Sequence, residues 1–498
     1  MHTNHTPTTN LPLNADNCYQ ALVSRDARFD GRFFVGVSST RIYCRVVCPA
    51  KTPRRENCTF YPSAAAAERA GYRPCLRCRP ELAPGNAVLD AVSRLAAEAA
   101  SRIEDGVLTE ASVGHLAAEL GISDRHLRRV VEREFGVTPI ELAQTHRLLL
   151  AKRLLTDTDL PVIEVAYASG FSSLRRFNAL FKERYRLNPT GLRKAQPHRI
   201  AQRPLVCDLA YRPPLDWVAL LGFLSARTIT GVEQIDGLCY RRTAAFGKHR
   251  GWLAVDPVPG KALLRISLAP TLAPVLPQVL AAVKRLFDLL APPDLIATHL
   301  GALAVANPGL RVPGAFDGFE VAVRAILGQQ VSVKAASTLA GRLSAAFGEA
   351  VETPYAELAV LTPGAARLAG AAPEEIMALG VTRSRATAIV ALAQAVAAGA
   401  IRLEPRVDVA EAMARLRDLP GVGEWTAQYV AMRALSWPDG FPHGDLGIRK
   451  ALNEPNPNRV FALAEAWRPW RAYAAMHLWK SLETPACLTE LEPQPQIA

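Results

Sequence analysis

The sequence predicts a multidomain, mainly α-helical protein that opens with a small cysteine-bearing α/β domain. Three observations predict it. The chain has 498 residues, more than a single hydrophobic core usually organises. Its composition, 49% hydrophobic and 21% charged, is that of a folded protein and excludes wholesale disorder, collagen and coiled coil. The texture also changes along the chain. Residues 1–84 hold a cysteine cluster and end in the break RPELAPGN. Residues 85–196 are rich in Ala, Leu and Arg with helical periodicity. Residues 205–300 mix β-type runs (GLCYRRTAAFG, ALLRISLAP) with the helical PQVLAAVKRLFDLL. Residues 301–485 are Ala-rich and are punctuated by Gly and Pro in the manner of a helical domain. The stretch near 197–204 reads as a linker, and the Pro/Glu-rich tail after Cys487 as frayed.

The net charge is +12, from 58 Lys+Arg against 46 Asp+Glu, which favours a polyanionic partner. No apolar run reaches the length of a membrane span, and the polar N-terminus lacks a signal region. A soluble cytoplasmic protein with no membrane partner is expected. In such a chain, clustered cysteines point to metal or nucleophilic chemistry before disulfides.

Cys44 and Cys48 form a C-x3-C pair, and Cys75 and Cys78 follow after 26 residues as C-x2-C. Two close pairs closing a modest loop suit tetrahedral Zn2+, which staples a domain too small to rely on its core. A purely structural zinc site is the competing reading. The stretch FDGRFFVGVSSTRIYCRVVCPAKTPRRENCTFY, with AGYRPCLRCRPE after it, resembles the N-terminal domain of the Ada adaptive-response regulators over residues 16–82. That resemblance implies a domain that repairs DNA methylphosphotriesters by taking the methyl group onto a zinc-bound cysteine, here Cys44. Zinc holds a thiol as the nucleophilic thiolate at neutral pH. Methylation takes a four-thiolate site from a formal −2 to −1, so it repels ordinary phosphates less. Arg45, Lys51, Arg54 and Arg55 are expected to attract those phosphates. Cys58 lies outside the quartet and reads as a buried thiol.

Residues 109–135 contain a helix ending at Gly121 and a second helix N-capped by Ser123, with Arg125, His126, Arg128 and Arg129 on its early turns. A DNA recognition helix is laid out in this way. Residues 161–184 repeat the pattern: Gly170 marks the turn, and Ser172, Ser173, Arg175 and Arg176 open the second helix. A long helix over 138–155 joins the two. The pair, with its ending GFSSLRRFNALFKERYRLNPT, resembles the AraC-type double helix-turn-helix. Arg133 and Arg153 are read as solvated.

In the second half, LPGVGEWTA has the form of a helix-hairpin-helix, in which Gly421 and Gly423 let backbone N–H groups approach a DNA phosphate. Asp445 follows in the loop FPHGDLGIRK, where an N-capping role is the plainer reading. Hairpin and Asp together, with DWVALLGFLSAR, FEVAVRAILGQQVSV and WRPWRAYAAMHLWKS, resemble the AlkA-type 3-methyladenine DNA glycosylases over residues 205–485. The resemblance implies a TATA-binding-protein-like α+β subdomain followed by an all-α helix-hairpin-helix domain. It also implies catalysis by Asp445 and a base pocket of Phe223, Trp425, Tyr429 and Trp479. Electron-rich rings suit a flipped-out cationic alkylpurine. Trp425 stands where bifunctional relatives carry a Lys nucleophile, so lyase chemistry is not expected. Gln330 aligns with the DNA-intercalating wedge, usually Leu, and Gly444 replaces the usual acidic neighbour of the catalytic Asp.

The segments add up to a fusion: methylphosphotriester acceptor, methylation-activated transcription regulator and monofunctional alkylpurine glycosylase. The expected partners are double-stranded DNA and RNA polymerase, with the chain acting as a monomer. The alternative is a regulator whose glycosylase-like half only binds DNA.

Overall fold

The computed structural model describes residues 14–84, 94–109, 111–158, 160–192, 204–405 and 408–483. Most of the expected linker near 197–204 and the tail after Cys487 lie outside them. The chain divides into two compact units: Met1–Arg212 with Ala273–Ala281, and Pro213–Leu272 with Ala282–Ala498. No helix among the described residues is long and apolar enough to cross a membrane.

In the first unit the strand Phe34–Val37 pairs antiparallel with both Ile42–Cys44 and Cys58–Tyr61, and Ile42–Cys44 pairs in parallel with Arg73–Pro74. Successive strand residues face opposite sides, and here both sides are buried. Phe33 and Val35 pack with Cys18, Ala21 and Leu22 of the helix Ala15–Ser24. Phe34 packs with Tyr43, Tyr72 and Ala67 of the helix Ala64–Arg69. Cys58 is buried in the first of these clusters, as its reading required.

Six helices of four or more residues follow between Val113 and Leu192. Ser123 and Ser173 each N-cap a recognition-type helix, Asp124–Phe135 and Leu174–Tyr185, by accepting from the backbone N–H three residues on. Gly121 and Gly170 turn the chain before them at φ +68° and +81°, a region open chiefly to glycine. The joining helix runs Pro139–Asp157 and is fixed at its start by a capping box of Thr138 and Glu141. Arg153 does not sit in solvent. It is buried on this helix and donates to the carbonyl of Asp208, because the helix is enclosed on most of its circumference.

The zinc-type domain and the helix-turn-helix module share buried polar contacts within this unit. Glu68 accepts from Tyr43 Oη (3.0 Å) and from Thr145 Oγ1 (3.1 Å). Lys152 and Glu81 form an ion pair that is almost wholly buried. Ser63 Oγ donates to the carbonyl of Phe135 (2.7 Å).

Burial pushes the Glu68 carboxyl up to about 7, against the partial relief given by Tyr43, Thr145 and Arg184. A carboxyl raised in the folded state contributes stability below its ordinary value of 4.5, and that contribution is lost as pH rises to about 7. Glu68→Gln removes the charge and keeps a carbonyl acceptor. The variant should therefore gain stability over the parent on going from pH 5 to pH 8, by about 3 kcal/mol at most. Urea midpoints of this unit at the two pH values test it, and a gap that does not grow with pH contradicts it.

The second unit opens with the helix Trp217–Ser225 and an antiparallel meander, Glu233–Asp236, Cys239–Phe246, His249–Pro257 and Leu263–Leu268. The two β-type sequence runs fall on its second and fourth strands. A helical domain follows, built on an apolar cluster that joins Gly318–Leu327, Val333–Phe347, Arg383–Ala397 and Glu424–Arg433. Asp445 caps the helix Leu446–Ala451, and Arg471–Lys480 is the last helix.

Candidate functional site

Each unit carries a site. In the first, the Sγ atoms of Cys44, Cys48, Cys75 and Cys78 all lie within 4.8 Å of one another. Zinc with four bonds of about 2.3 Å holds its sulfurs about 3.8 Å apart, so the quartet fits Zn2+. Cys44 ends one strand, and the other three lie in loops beside it. Backbone N–H groups of Arg45 and Arg77 donate to Cys78 and Cys75 (both 3.4 Å), and that of Ala50 favours the Cys48 thiolate. Such bonds stabilise a thiolate and dull it as a nucleophile. No backbone donor reaches Cys44 among the described residues, and Cys44 is the least buried of the four.

The reading of Arg45 as a phosphate contact is corrected here. Arg45 is buried, forks onto both carboxylate oxygens of Asp30 and donates to the Cys78 carbonyl (3.2 Å). A guanidinium in that position needs all of these partners, so it braces the cysteine loop. Lys51 and Arg54 are exposed. On the helix-turn-helix module Arg125, Arg129, Ser172, Arg175 and Arg176 are exposed and His126 is half-buried, all at or near the starts of the two recognition-type helices. Arg128 is paired with Asp124 (2.7 Å).

In the second unit the hairpin joins the helices Val409–Arg417 and Glu424–Arg433. Gly421 sits at φ +78°, and nothing lies within 4 Å of where a Gly423 side chain would be, so the backbone there is open to a partner. Gly423 caps the second helix without a side-chain bond.

Asp445 stands at the centre of the site. Its Oδ1 accepts from Trp479 Nε1 (2.9 Å) and from the backbone N–H groups of Gly447 (2.8 Å) and Ile448 (3.1 Å), and its Oδ2 accepts from Trp425 Nε1 (3.0 Å). It is both an N-cap and the hub of an aromatic cluster. Trp425 stacks on Tyr429 at 5.2 Å, and Trp479 faces Phe223 at 6.3 Å, the planes 27° apart. All four expected pocket residues therefore come together around Asp445. Gln330 is exposed at φ +55° in the loop before Val333, next to exposed Val331, and its neighbour Gln329 is tied to the hairpin through Gly421 O (2.9 Å) and Thr426 Oγ1 (3.0 Å).

Two arginines escaped the sequence reading. Arg227 lies over the Phe223 ring, 3.6 Å from its centre, so one face of that ring is already taken by a cation. Arg433 donates to Tyr429 Oη (2.7 Å) and reaches both Tyr429 and Phe223. Each stands four residues after the aromatic it touches, a helical spacing that could have revealed them.

A four-thiolate metal site, a paired helix-turn-helix, and an Asp set in an aromatic cluster beyond a helix-hairpin-helix define a DNA-binding regulator joined to a base-excision repair enzyme. Family models agree along the chain. The metal binding domain of Ada matches residues 17–81, a helix-turn-helix domain 116–195, the AlkA N-terminal domain 206–317, and the HhH-GPD superfamily of base excision DNA repair proteins 323–460. A probable bifunctional transcriptional activator/DNA repair enzyme AlkA of Mycobacterium tuberculosis is 39% identical over 97% of this chain and 99% of its own length. The chain belongs to that family. DNA-3-methyladenine glycosylase 2 of Escherichia coli is 40% identical over 54% of the chain and 95% of its own length. The bifunctional transcriptional activator/DNA repair enzyme Ada of the same species is 36% identical over 28% of the chain and 38% of its own length.

Metal analysis of the full chain should give one zinc per chain, and Cys75→Ala should lose it. A zinc-free parent whose first unit is folded would contradict the site.

Proposed function

We propose that the second unit is a monofunctional DNA glycosylase that releases alkylated purines such as 3-methyladenine. The first unit, in this reading, accepts a methyl group from DNA methylphosphotriesters on Cys44 and thereby becomes a transcriptional activator. The observation that carries the glycosylase reading is Asp445, oriented by two indoles of the aromatic cluster. When the bond between sugar and base breaks, its electron pair leaves with the base and positive charge grows on the sugar. A carboxylate whose orientation is already set by four N–H donors stabilises that charge without reorganising. The second face of the arrangement is the hairpin, whose open backbone at Gly423 suits a phosphate.

The acceptor reading rests on Cys44 being the most exposed residue of the quartet and the one whose sulfur meets no backbone donor among the described residues. Zinc, when bound, supplies the thiolate. Cys44 Sγ then forms a bond to the methyl carbon as the carbon–oxygen bond of the triester breaks, and the electron pair stays on the phosphate oxygen. The exposed Lys51 and Arg54 supply positive charge nearby. Promoter DNA is the expected partner of the methylated form, with RNA polymerase recruited there. The exposed Arg125, Arg129, Arg175 and Arg176 support duplex binding by this module.

Asp445→Asn should lower base release from methylated duplex by about 100-fold or more. Labelled bases, with alkali treatment to reveal abasic sites, measure it. Undiminished release would remove Asp445 from the chemistry, and strand breaks without alkali would show lyase activity. Cys44→Ala should abolish methyl uptake from triester DNA, read by mass spectrometry, while base release persists. A methyl group found on Cys75 instead would refute the acceptor assignment.

A further inference from the structure

We propose that a second cavity in this unit, apart from the Asp445 cluster, binds a nucleoside monophosphate whose base carries an exocyclic amino group. The cavity has a volume of about 500 Å3. Small-molecule sites commonly measure about 300–1,000 Å3. Its walls come from the hairpin of Cys239–Phe246 and His249–Pro257, the residues before the helix Gly318–Leu327, the end of the helix Val333–Phe347 and the stretch from Leu361 to Arg367. None of its lining residues belongs to the cluster around Asp445.

Two opposite charges face this space without partners. Asp317 is exposed, and its Oδ1 accepts the backbone N–H of Glu320 (2.9 Å) as the cap of the helix Gly318–Leu327. Desolvation nevertheless holds its carboxyl above the ordinary aspartate value. Protein therefore crowds the group on most sides while one face stays open, as expected of a carboxylate set in a cavity. Among the described residues Asp317 has no ion-pair partner. Arg242, which also lines the cavity, is buried and committed to Glu320 (2.7 Å). Arg367 is the opposite charge. It is exposed, lies over the Phe347 ring at 5.3 Å and meets no carboxylate among the described residues. The third lining arginine, Arg250, is held by Glu349 (2.9 Å).

These groups define the two ends of a ligand. A carboxylate only accepts hydrogen bonds, and a guanidinium only donates them. An occupant that satisfies both must donate at one end and carry an anion at the other. The rest of the lining includes Phe316, Phe347 and Leu361. A free amino acid would meet the two charges and leave that apolar surface to water, whereas a nucleobase covers it. The base amino group then donates to Asp317, and the phosphate takes the fork of Arg367. Nothing lies within 4 Å of where a Gly364 side chain would be, so the backbone three residues before Arg367 is open to the phosphate as well. A ring carbonyl in place of the amino group would set oxygen against carboxylate, and the site should reject it.

The test uses the full chain and two matched pairs of probes, AMP with IMP and CMP with UMP, with inorganic phosphate as a third arm. The members of each pair differ in the amino group and the carbonyl that replaces it. Titration calorimetry should show at least one amino-bearing nucleotide binding about tenfold or more tighter than its partner and than phosphate. Asp317→Asn keeps a capping side chain, and its amide serves either base edge, so the preference should fall to about twofold or less. Arg367→Gln lies on an exposed five-residue helix and should melt like the parent. It should weaken both members of a pair by about tenfold or more and keep the preference between them. Binding should also persist when the chain is saturated with unmodified duplex. No binding, equal affinity within both pairs, or affinity unchanged in both variants overturns the proposal. Phosphate binding as tightly as the nucleotides overturns it in favour of a simple anion site. A nucleotide displaced by duplex overturns it too, since the probe would then occupy the DNA-binding surface.

Discussion

The carboxylate of Asp445 is the contact on which the second unit's site depends. It joins three helices that are far apart in sequence: the one that follows the hairpin through Trp425, the last one through Trp479, and the one it caps itself. Charge-assisted hydrogen bonds of this kind are stronger than neutral ones, and four converge on two oxygens. The two indoles cannot rotate away without losing them. The aromatic cluster is thus shaped by an acid, and the acid is aimed by the cluster. This mutual constraint explains how one residue can serve as a structural cap and also as the hub of the aromatic cluster.

The first unit is organised differently. Its cysteine quartet lies beside a sheet of short strands with small cores on its two faces, too little apolar surface to be secure alone. Metal closes the loop between the pairs, and the neighbouring helical module covers what remains through Glu68, Glu81 and Ser63. The long helix Pro139–Asp157 receives two of these contacts and belongs to the helix-turn-helix module, so the two domains share one polar seam.

Local chemistry was the legible part of the sequence. Ser123, Ser173 and the turn glycines announced their helix starts because caps and left-handed turns are decided by a few adjacent residues. The cysteine spacing and the hairpin were visible for the same reason. Arg45 was misread because its partner, Asp30, is brought beside it only by the folded sheet, and nothing near Arg45 in sequence says that it is enclosed. Arg153 failed likewise: it lies on a helix that its neighbours enclose on most of its circumference, and no residue near it in sequence shows them. The aromatics that gather around Asp445 were singled out by resemblance, whereas the guanidiniums on Phe223 and Tyr429 needed coordinates to show which ring faces were already occupied.

The polar seam between the cysteine domain and the helix-turn-helix also sets a ruler. If Cys44 takes methyl from DNA as proposed and its domain is packed with the helix-turn-helix as one body, the distance between them along a duplex is fixed by side chains such as Lys152 and Glu81, whatever the length of the linking peptide. A damaged phosphate is then met at one phase of the double helix relative to the bases being read. A triester a few base pairs nearer or farther would present itself on the wrong side of the duplex. Packing between two small domains would in this way act as a spacing rule written into the DNA that the protein recognises.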